Sequence, residues 1–294
     1  MARAEWMVMA AVLAACAPPA RSPGTLPTAT GEDDEQLSLS PFGMQGDALP
    51  QDALILTYDD GPAAHTLAIA SYLAARQISA VFFVNGRRFC NVPSRDLSCP
   101  ELPAPRRCAD GGSQQPDPRP RYYPESVLDD LLRLGHRLGN HTQTHCHLTA
   151  ERTEDLLYEV GTTQALLRRH VGEAAVPFRP PYGAWNAEVD LRVSSDLELG
   201  ELHGPISWDV GGFDFACWRD GTSVADCGAR YLAALDGRPR HNGIVLIHDR
   251  PEYNVGASDP LLLTEWLIPR LLERRFRFVS IDQLLDPPGG PPLR

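Results

Sequence analysis

The sequence predicts one barrel-like α/β domain over about residues 50–287. Apolar runs of strand length alternate with longer segments of helical spacing, the order expected of a parallel sheet. Several of those runs stop at titratable or stiff residues, as in Leu54-Ile55-Leu56-Thr57 before Tyr58-Asp59-Asp60-Gly61-Pro62. No repeat of 20 to 50 residues and no evident linker to a second domain interrupts the pattern.

Residues 53–57 read as a strand, 64–76 as a helix and 80–84, Ala-Val-Phe-Phe-Val, as a second buried strand. Residues 85–121, with prolines, glycines and three cysteines, break the rhythm. They predict a surface insertion, at about 86–121, stapled by a disulfide. Helical spacing resumes over 124–134, with Pro124 at the start and Gly135 at the end. A short strand or turn then leads into Gly139-Asn140-His141. Residues 153–170 predict a strong helix, with Thr153 as cap and Leu156, Leu157, Val160, Leu166 and Leu167 on its apolar side. Four further strands are expected at 176–179, 206–209, 243–248 and 276–280.

The 294 residues are 43% hydrophobic and carry a formal charge of -11. That balance disfavours a nucleic-acid partner, which needs clustered cations. All 27 basic residues are arginine, which excludes a lysine Schiff base or nucleophile. The start predicts export: Arg3 precedes a short apolar run over 7–15, too brief to span a bilayer. Leu13-Ala14-Ala15-Cys16 resembles a bacterial lipobox, which implies a signal peptide over 1–15, a lipid on Cys16 and anchoring to a bacterial membrane. An ordinary secretory signal is the alternative, and either places the mature protein outside the cytoplasm. Residues 16–50, rich in Pro, Ser, Thr and acids, are expected to be a flexible tether, and 288–294 a disordered tail. Setting Cys16 aside leaves six cysteines for an oxidising compartment. Their spacings favour Cys217 with Cys227, and two of Cys90, Cys99 and Cys108. A monomer is expected.

Chemistry collects at the ends of the apolar runs. Adjacent carboxylates, Asp59 and Asp60, raise one another's pKa unless a cation intervenes, and an ion bound by one leaves the other free as a base. The same run also suits a plain turn. In Asn140-His141-Thr142-Gln143-Thr144-His145 the histidines are four apart, a spacing that on a helical turn brings both imidazoles to one ion. One Asp with two His leaves a coordination position for water, which such an ion acidifies. Phe178-Arg179-Pro180-Pro181-Tyr182-Gly183 sets a guanidinium beside a stiff turn, able to hold a carboxylate ionised and to aim a backbone N–H at an oxyanion. His248, ending Ile244-Val245-Leu246-Ile247, is suited to protonate a leaving amine.

Taken in order, these clusters resemble the polysaccharide deacetylase family, also called the NodB-homology domain or carbohydrate esterase family 4. Residues 57–62 look like its first motif, Gly139-Asn140-His141-Thr142 through His145 like the second, Arg179-Pro180-Pro181-Tyr182-Gly183 like the third and Leu246-Ile247-His248 like the fifth. The resemblance covers nearly the whole chain after the tether. It implies a distorted (β/α) barrel with its site at the C-terminal strand ends, and a metal-dependent hydrolase that removes N-acetyl groups from a GlcNAc-containing envelope glycan. It assigns Asp59 as general base and Asp60, His141 and His145 as ligands of a divalent metal, with Zn2+ favoured and Co2+ or Ni2+ possible. Arg179 would orient Asp59, the Tyr182 N–H would stabilise the oxyanion, His248 would be the acid, and Leu246 would line the acetyl pocket.

The fourth motif, usually Asp-x-x-Asp-Trp, departs: Gly211 stands for the first Asp and Phe215 for Trp, while Asp214 remains to partner His248. Trp218 is a candidate replacement sugar platform. O-deacetylation of the acetyl-xylan kind, and a silent glycan-binding lipoprotein, are the alternatives on the same fold.

Overall fold

The computed structural model describes residues 43–90, 108, 122–196, 199, 202–250 and 259–286. The expected signal peptide, lipidated Cys16, most of the tether and insertion, and the tail lie outside them. The strands are β1 (Ala53–Gly61), β2 (Ala80–Val84), β3 (Phe89–Cys90), β4 (Tyr123–Pro124), β5 (Arg137–Asn140), β6 (Val176–Pro177), β7 (Leu202–His203), β8 (Val210–Gly211), β9 (Gly243–His248) and β10 (Arg277–Phe278). The helices are α1 (Thr66–Ala74), α2 (Ser126–Arg133), α3 (Thr153–Val171), α4 (Ala187–Ser194), α5 (Phe213–Asp220), α6 (Val224–Asp236), α7 (Pro260–Glu273) and α8 (Asp282–Leu285).

The main sheet is parallel, ordered β5-β2-β1-β9-β8, with β10 pairing the first residues of β1. β1 and β9 are buried along their whole length, which is why both read as near-continuous apolar runs. Beyond β5 the ring continues irregularly, through a bridge from Asn140 to Phe178, the β6–β7 pair and a bridge from Ile206 to Met44. The result is an α/β architecture with a distorted barrel, as expected.

Alternation along β1 sorts its side chains between two environments. Leu54, Leu56 and Tyr58 join Phe82, Val245 and Ile247 beneath Ile69 and Leu73 of α1, Leu128 of α2 and Leu267 of α7. Ile55 packs instead with Val81, Phe83, Ile244 and Ile281. Thr57 and Asp59 continue that second face, so the interior turns polar at the C-terminal end of the strand. A one-residue slip would send Asp59 into the helix layer and move Leu56 out of it, forfeiting about 1.5–3 kcal/mol for each large apolar side chain displaced. The register pairs Asp59 with both His248 and Phe83, setting three strand ends at one level.

Several local expectations are corrected. The 206–209 segment is no strand: Ile206 makes an isolated bridge, its carbonyl and that of Ser207 accept from Arg179, and the strand falls at Val210–Gly211. Thr153 is the first helical residue of α3, and Arg152 stands at the cap without a side-chain cap bond. Cys217 and Cys227 are bonded as expected, but Cys108 pairs with Cys146, 38 residues on. Chain proximity does not predict this bond, because the fold brings Cys108 of the insertion to the histidine loop. Cys99 lies outside the described residues.

Candidate active site

β1 carries the first two groups. The pairing register shifts between Asp59 and Gly61, and Asp60 sits at φ 76. Asp60 is thus the extra residue of a β-bulge in the left-handed region, and the bulge cancels the alternation that would send neighbouring side chains to opposite faces. Both carboxylates enter one cleft while the strand continues to Gly61. Gly61 admits no side chain: a Cβ there would lie 2.3 Å from an oxygen of Asp249.

The histidines do not lie on a helical turn. After β5 the chain enters a loop with Thr142 at φ 68 and His145 at φ 67, and this backbone folds the two rings to a centroid separation of 5.0 Å. Asn140 holds the loop: its amide nitrogen donates to the carbonyl of Val160, and its Oδ1 accepts from the N–H of Thr142. The Thr144 hydroxyl and N–H both donate to Glu159 of α3.

The turn at 179–183 serves all three of these groups. Arg179 is fully buried and donates from Nη1 to Asp59 Oδ1 at 2.8 Å and to Thr57 Oγ1 at 2.7 Å, while Nε and Nη2 donate to the carbonyls of Ile206 and Ser207. Its carbonyl faces His141 Nδ1 at 2.8 Å, and the Tyr182 hydroxyl faces His145 Nδ1 at 3.2 Å. A carbonyl only accepts, so His141 carries its proton on Nδ1 and, when neutral, presents a bare Nε2. Thr57 was not singled out as a site residue, although its place two residues before Asp59 on the same strand face could have revealed it.

These constraints aim the ring nitrogens inward. His145 Nε2 lies 3.1 Å and His141 Nε2 3.4 Å from Asp60 Oδ1, and one ligand atom from each of the three residues lies within 4.8 Å of the others. Asp60 Oδ1 is buried and has no hydrogen-bond partner in the protein. Electron-rich atoms converging on one point repel unless a cation lies among them, so the donor set fits a divalent metal. Burial works against a charged Asp60, yet His145 and His141 outweigh it and hold the carboxyl well below its ordinary range. Burial likewise works against a charged His141, yet Asp59 and Asp60 raise its pKa.

His248 enters from the end of β9. Asp214, fully buried on α5, accepts the His248 backbone N–H at 2.7 Å and the Nδ1 proton at 3.0 Å. That fixes the ring and turns its Nε2 edge away from Asp214. Leu246, two residues earlier on β9, is buried and lies on the same strand face as His248.

The departures in the fourth motif have structural reasons. Gly211 sits at φ 137, and a Cβ there would meet the carbonyl oxygen of Leu246 at 2.1 Å, so no aspartate fits. Phe215 lies on α5 with its ring 5.4 Å from the Arg219 guanidinium. Trp218 is only 2% exposed and packs edge-on to His248 at 6.4 Å between ring centres. It supports the histidine from behind and offers no face to a sugar, contrary to expectation. Tyr182, 45% exposed, is an aromatic residue open at the rim.

The barrel thus carries a convergent Asp-His-His set beside an Arg-held aspartate. The chain belongs to the polysaccharide deacetylase family, whose family model matches residues 46–200. It is 27% identical over 235 residues to peptidoglycan-N-acetylmuramic acid deacetylase PdaC of Bacillus subtilis, covering 80% of this chain and 39% of that protein. The chain therefore spans well under half the length of that relative. It is 30% identical over 240 residues to a chitooligosaccharide deacetylase of Rhizobium leguminosarum bv. trifolii, covering 78% of this chain and 90% of that protein. Among solved structures it is similar to the chitin deacetylase of the fungus Colletotrichum lindemuthianum, with a TM-score of 0.57, 23% identity and coverage of 81% and 89% of the two chains.

Proposed function

We propose that this protein is a metal-dependent deacetylase that hydrolyses N-acetyl groups of a GlcNAc-containing glycan of the cell envelope, releasing acetate. The observation that carries the proposal is the division between the two adjacent aspartates: Asp60 faces the histidine nitrogens, and Asp59 faces Arg179. Asp60, His141 and His145 would hold the ion, for which their mixed oxygen and nitrogen set favours Zn2+. When bound, a divalent ion supplies Lewis acidity to the acetyl carbonyl and to water.

The protein groups divide the rest of the work. Asp59, oriented by the buried guanidinium, accepts a proton from the attacking water. The Tyr182 N–H, at a residue with φ 57 in the stiff Pro-Pro turn, is set to donate to the developing oxyanion. His248, oriented by Asp214, delivers a proton to the departing amine. Leu246 offers an apolar wall for the acetyl methyl. Deacetylase names among the relatives support an amide substrate, and the predicted export supports an envelope glycan. The lipobox-like segment at Cys16 supports anchoring to a bacterial membrane; Cys16→Ser should shift the full-length protein from the membrane fraction to the soluble fraction.

The test is acetate release from peptidoglycan, chitin oligomers, poly-N-acetylglucosamine and acetyl-xylan, with and without chelator. Release from an N-acetyl glycan that stops on chelation is expected. Release from acetyl-xylan alone would establish an O-esterase, and binding without release on every substrate would establish a glycan-binding protein.

A further inference from the structure

The two histidines are fixed by partners of different kinds. His141 Nδ1 is held by a backbone carbonyl, that of Arg179, at 2.8 Å, so its orientation is part of the fold. His145 Nδ1 is held by a side chain, the Tyr182 hydroxyl, at 3.2 Å. His145 also lacks the support of regular backbone, since it follows β5 in a loop and sits at φ 67, with its N–H donated to Thr142 Oγ1. Contacts made by its ring must therefore set its angle. The Tyr182 ring supplies these as well, meeting the His145 ring edge-to-face at 4.7 Å.

Tyr182 needs its own restraint, because it is 45% exposed and springs from a strained backbone at φ 57. His147 stacks on it in parallel, with ring centres 5.3 Å apart and 15° between the planes, and is itself held by a 3.1 Å contact between Nδ1 and Thr149 Oγ1. His145 and His147 thus bracket one residue of the neighbouring turn, and Cys146 between them is bonded to Cys108.

We propose that Tyr182, through its hydroxyl and clamped by the stacked His147, is a positioning residue that locks the His145 ring in its ligating orientation and thereby sets metal affinity. This is separate from any role of its backbone N–H toward an oxyanion, and it rests on Asp60, His141 and His145 being the ligands. The physical basis is general: a partner on the distal nitrogen of a ligating imidazole fixes its tautomer and angle, and its loss typically weakens metal binding by about 10- to 100-fold. The ligating nitrogen of His145 is Nε2, so Nδ1 carries the proton and donates to the tyrosine oxygen.

The experiment is zinc affinity of the full chain by competition with a chromogenic chelator, without substrate. It compares the wild type with Tyr182→Phe, His147→Ala, His147→Phe and Asp60→Asn. Expected are tight zinc binding by the wild type, near-complete loss in Asp60→Asn, about tenfold weaker binding in Tyr182→Phe, severalfold weakening in His147→Ala and recovery in His147→Phe, whose ring can stack again. Melting of the metal-free Tyr182→Phe protein should match the wild type, which separates positioning from folding. If that variant fails to fold, the His147 pair decides by the same affinities. Wild-type affinity in both Tyr182→Phe and His147→Ala, with binding lost in Asp60→Asn, overturns the proposal and leaves the ligand set standing. Absence of zinc binding by the wild type overturns the ligand set, and the proposal with it.

Discussion

Asp59 and Asp60 share a side chain and a strand end, yet their surroundings prepare them for different work. A buried guanidinium lies 2.8 Å from one oxygen of Asp59 and leaves the second free to accept a proton, whereas Asp60 turns its unpartnered oxygen toward two imidazoles. Asp59→Asn should therefore abolish acetate release, a fall of at least about a hundredfold for a lost general base, while zinc stays bound at near wild-type affinity. Full turnover in that variant would remove Asp59 from the chemistry. A second single-residue case is Gly211. Restoring the family's aspartate by Gly211→Asp should destabilise the protein by about 2 kcal/mol or more instead of raising activity, because the side chain has no room beside the Leu246 carbonyl and φ 137 disfavours any side chain. A urea midpoint equal to that of the wild type would contradict this.

At the scale of elements, the junction of β1 with β9 is where the site is held. Asp249, next after β9, donates its N–H to the Asp59 carbonyl, accepts the Thr66 hydroxyl of α1 and sets its carboxyl where a side chain at Gly61 would stand. It is fully buried with one oxygen unpartnered. Burial, reinforced by the charges of Asp60 and Asp59 and opposed by the Thr66 bond, pushes its pKa up to about 7. The folded protein thus holds a proton there that the unfolded chain releases near pH 4. Its contribution to stability is complete below that value and is lost as pH rises through about 7. In metal-free protein, Asp249→Asn, which mimics the protonated acid, should lose less stability than the wild type between pH 5 and pH 8. Parallel pH profiles of the urea midpoint would rule out the buried acid as the cause.

At the scale of the whole molecule, two disulfides act on very different lengths of chain. Cys217–Cys227 closes a separation of 10 residues between neighbouring helices, whereas Cys108–Cys146 closes 38 and ties Cys108 of the insertion to the histidine loop. Loop entropy makes the longer closure worth about 1 kcal/mol more. The Cys108→Ser/Cys146→Ser pair should accordingly lower the unfolding free energy further than Cys217→Ser/Cys227→Ser; the reverse order by urea titration would show that strain or packing dominates. Among the described residues no helix is long and apolar enough to cross a membrane.

Much of this arrangement is legible in the chain. β1, β2 and β9 announce themselves as apolar runs because both of their faces are covered, and the groups that follow them at 59, 60 and 248 do lie at one end of the sheet. Arg179 could be tied to a carboxylate because a guanidinium beside a stiff turn at a strand end suits one. Segments without periodicity carry less of their structure in local pattern. The 206–209 run looked like a strand but serves as a set of carbonyls for Arg179, and Trp218 looked available to a sugar but is enclosed behind His248. The sequence by itself determined the parallel α/β order and the inventory of titratable groups at the strand ends, since periodicity and residue chemistry are local properties. Only the tertiary structure decided that Asp60 bulges out of register, that Cys108 meets Cys146 and that one turn at 179–183 orients Asp59, His141 and His145 together. Those depend on distances between residues far apart in the chain, which packing fixes and local pattern does not.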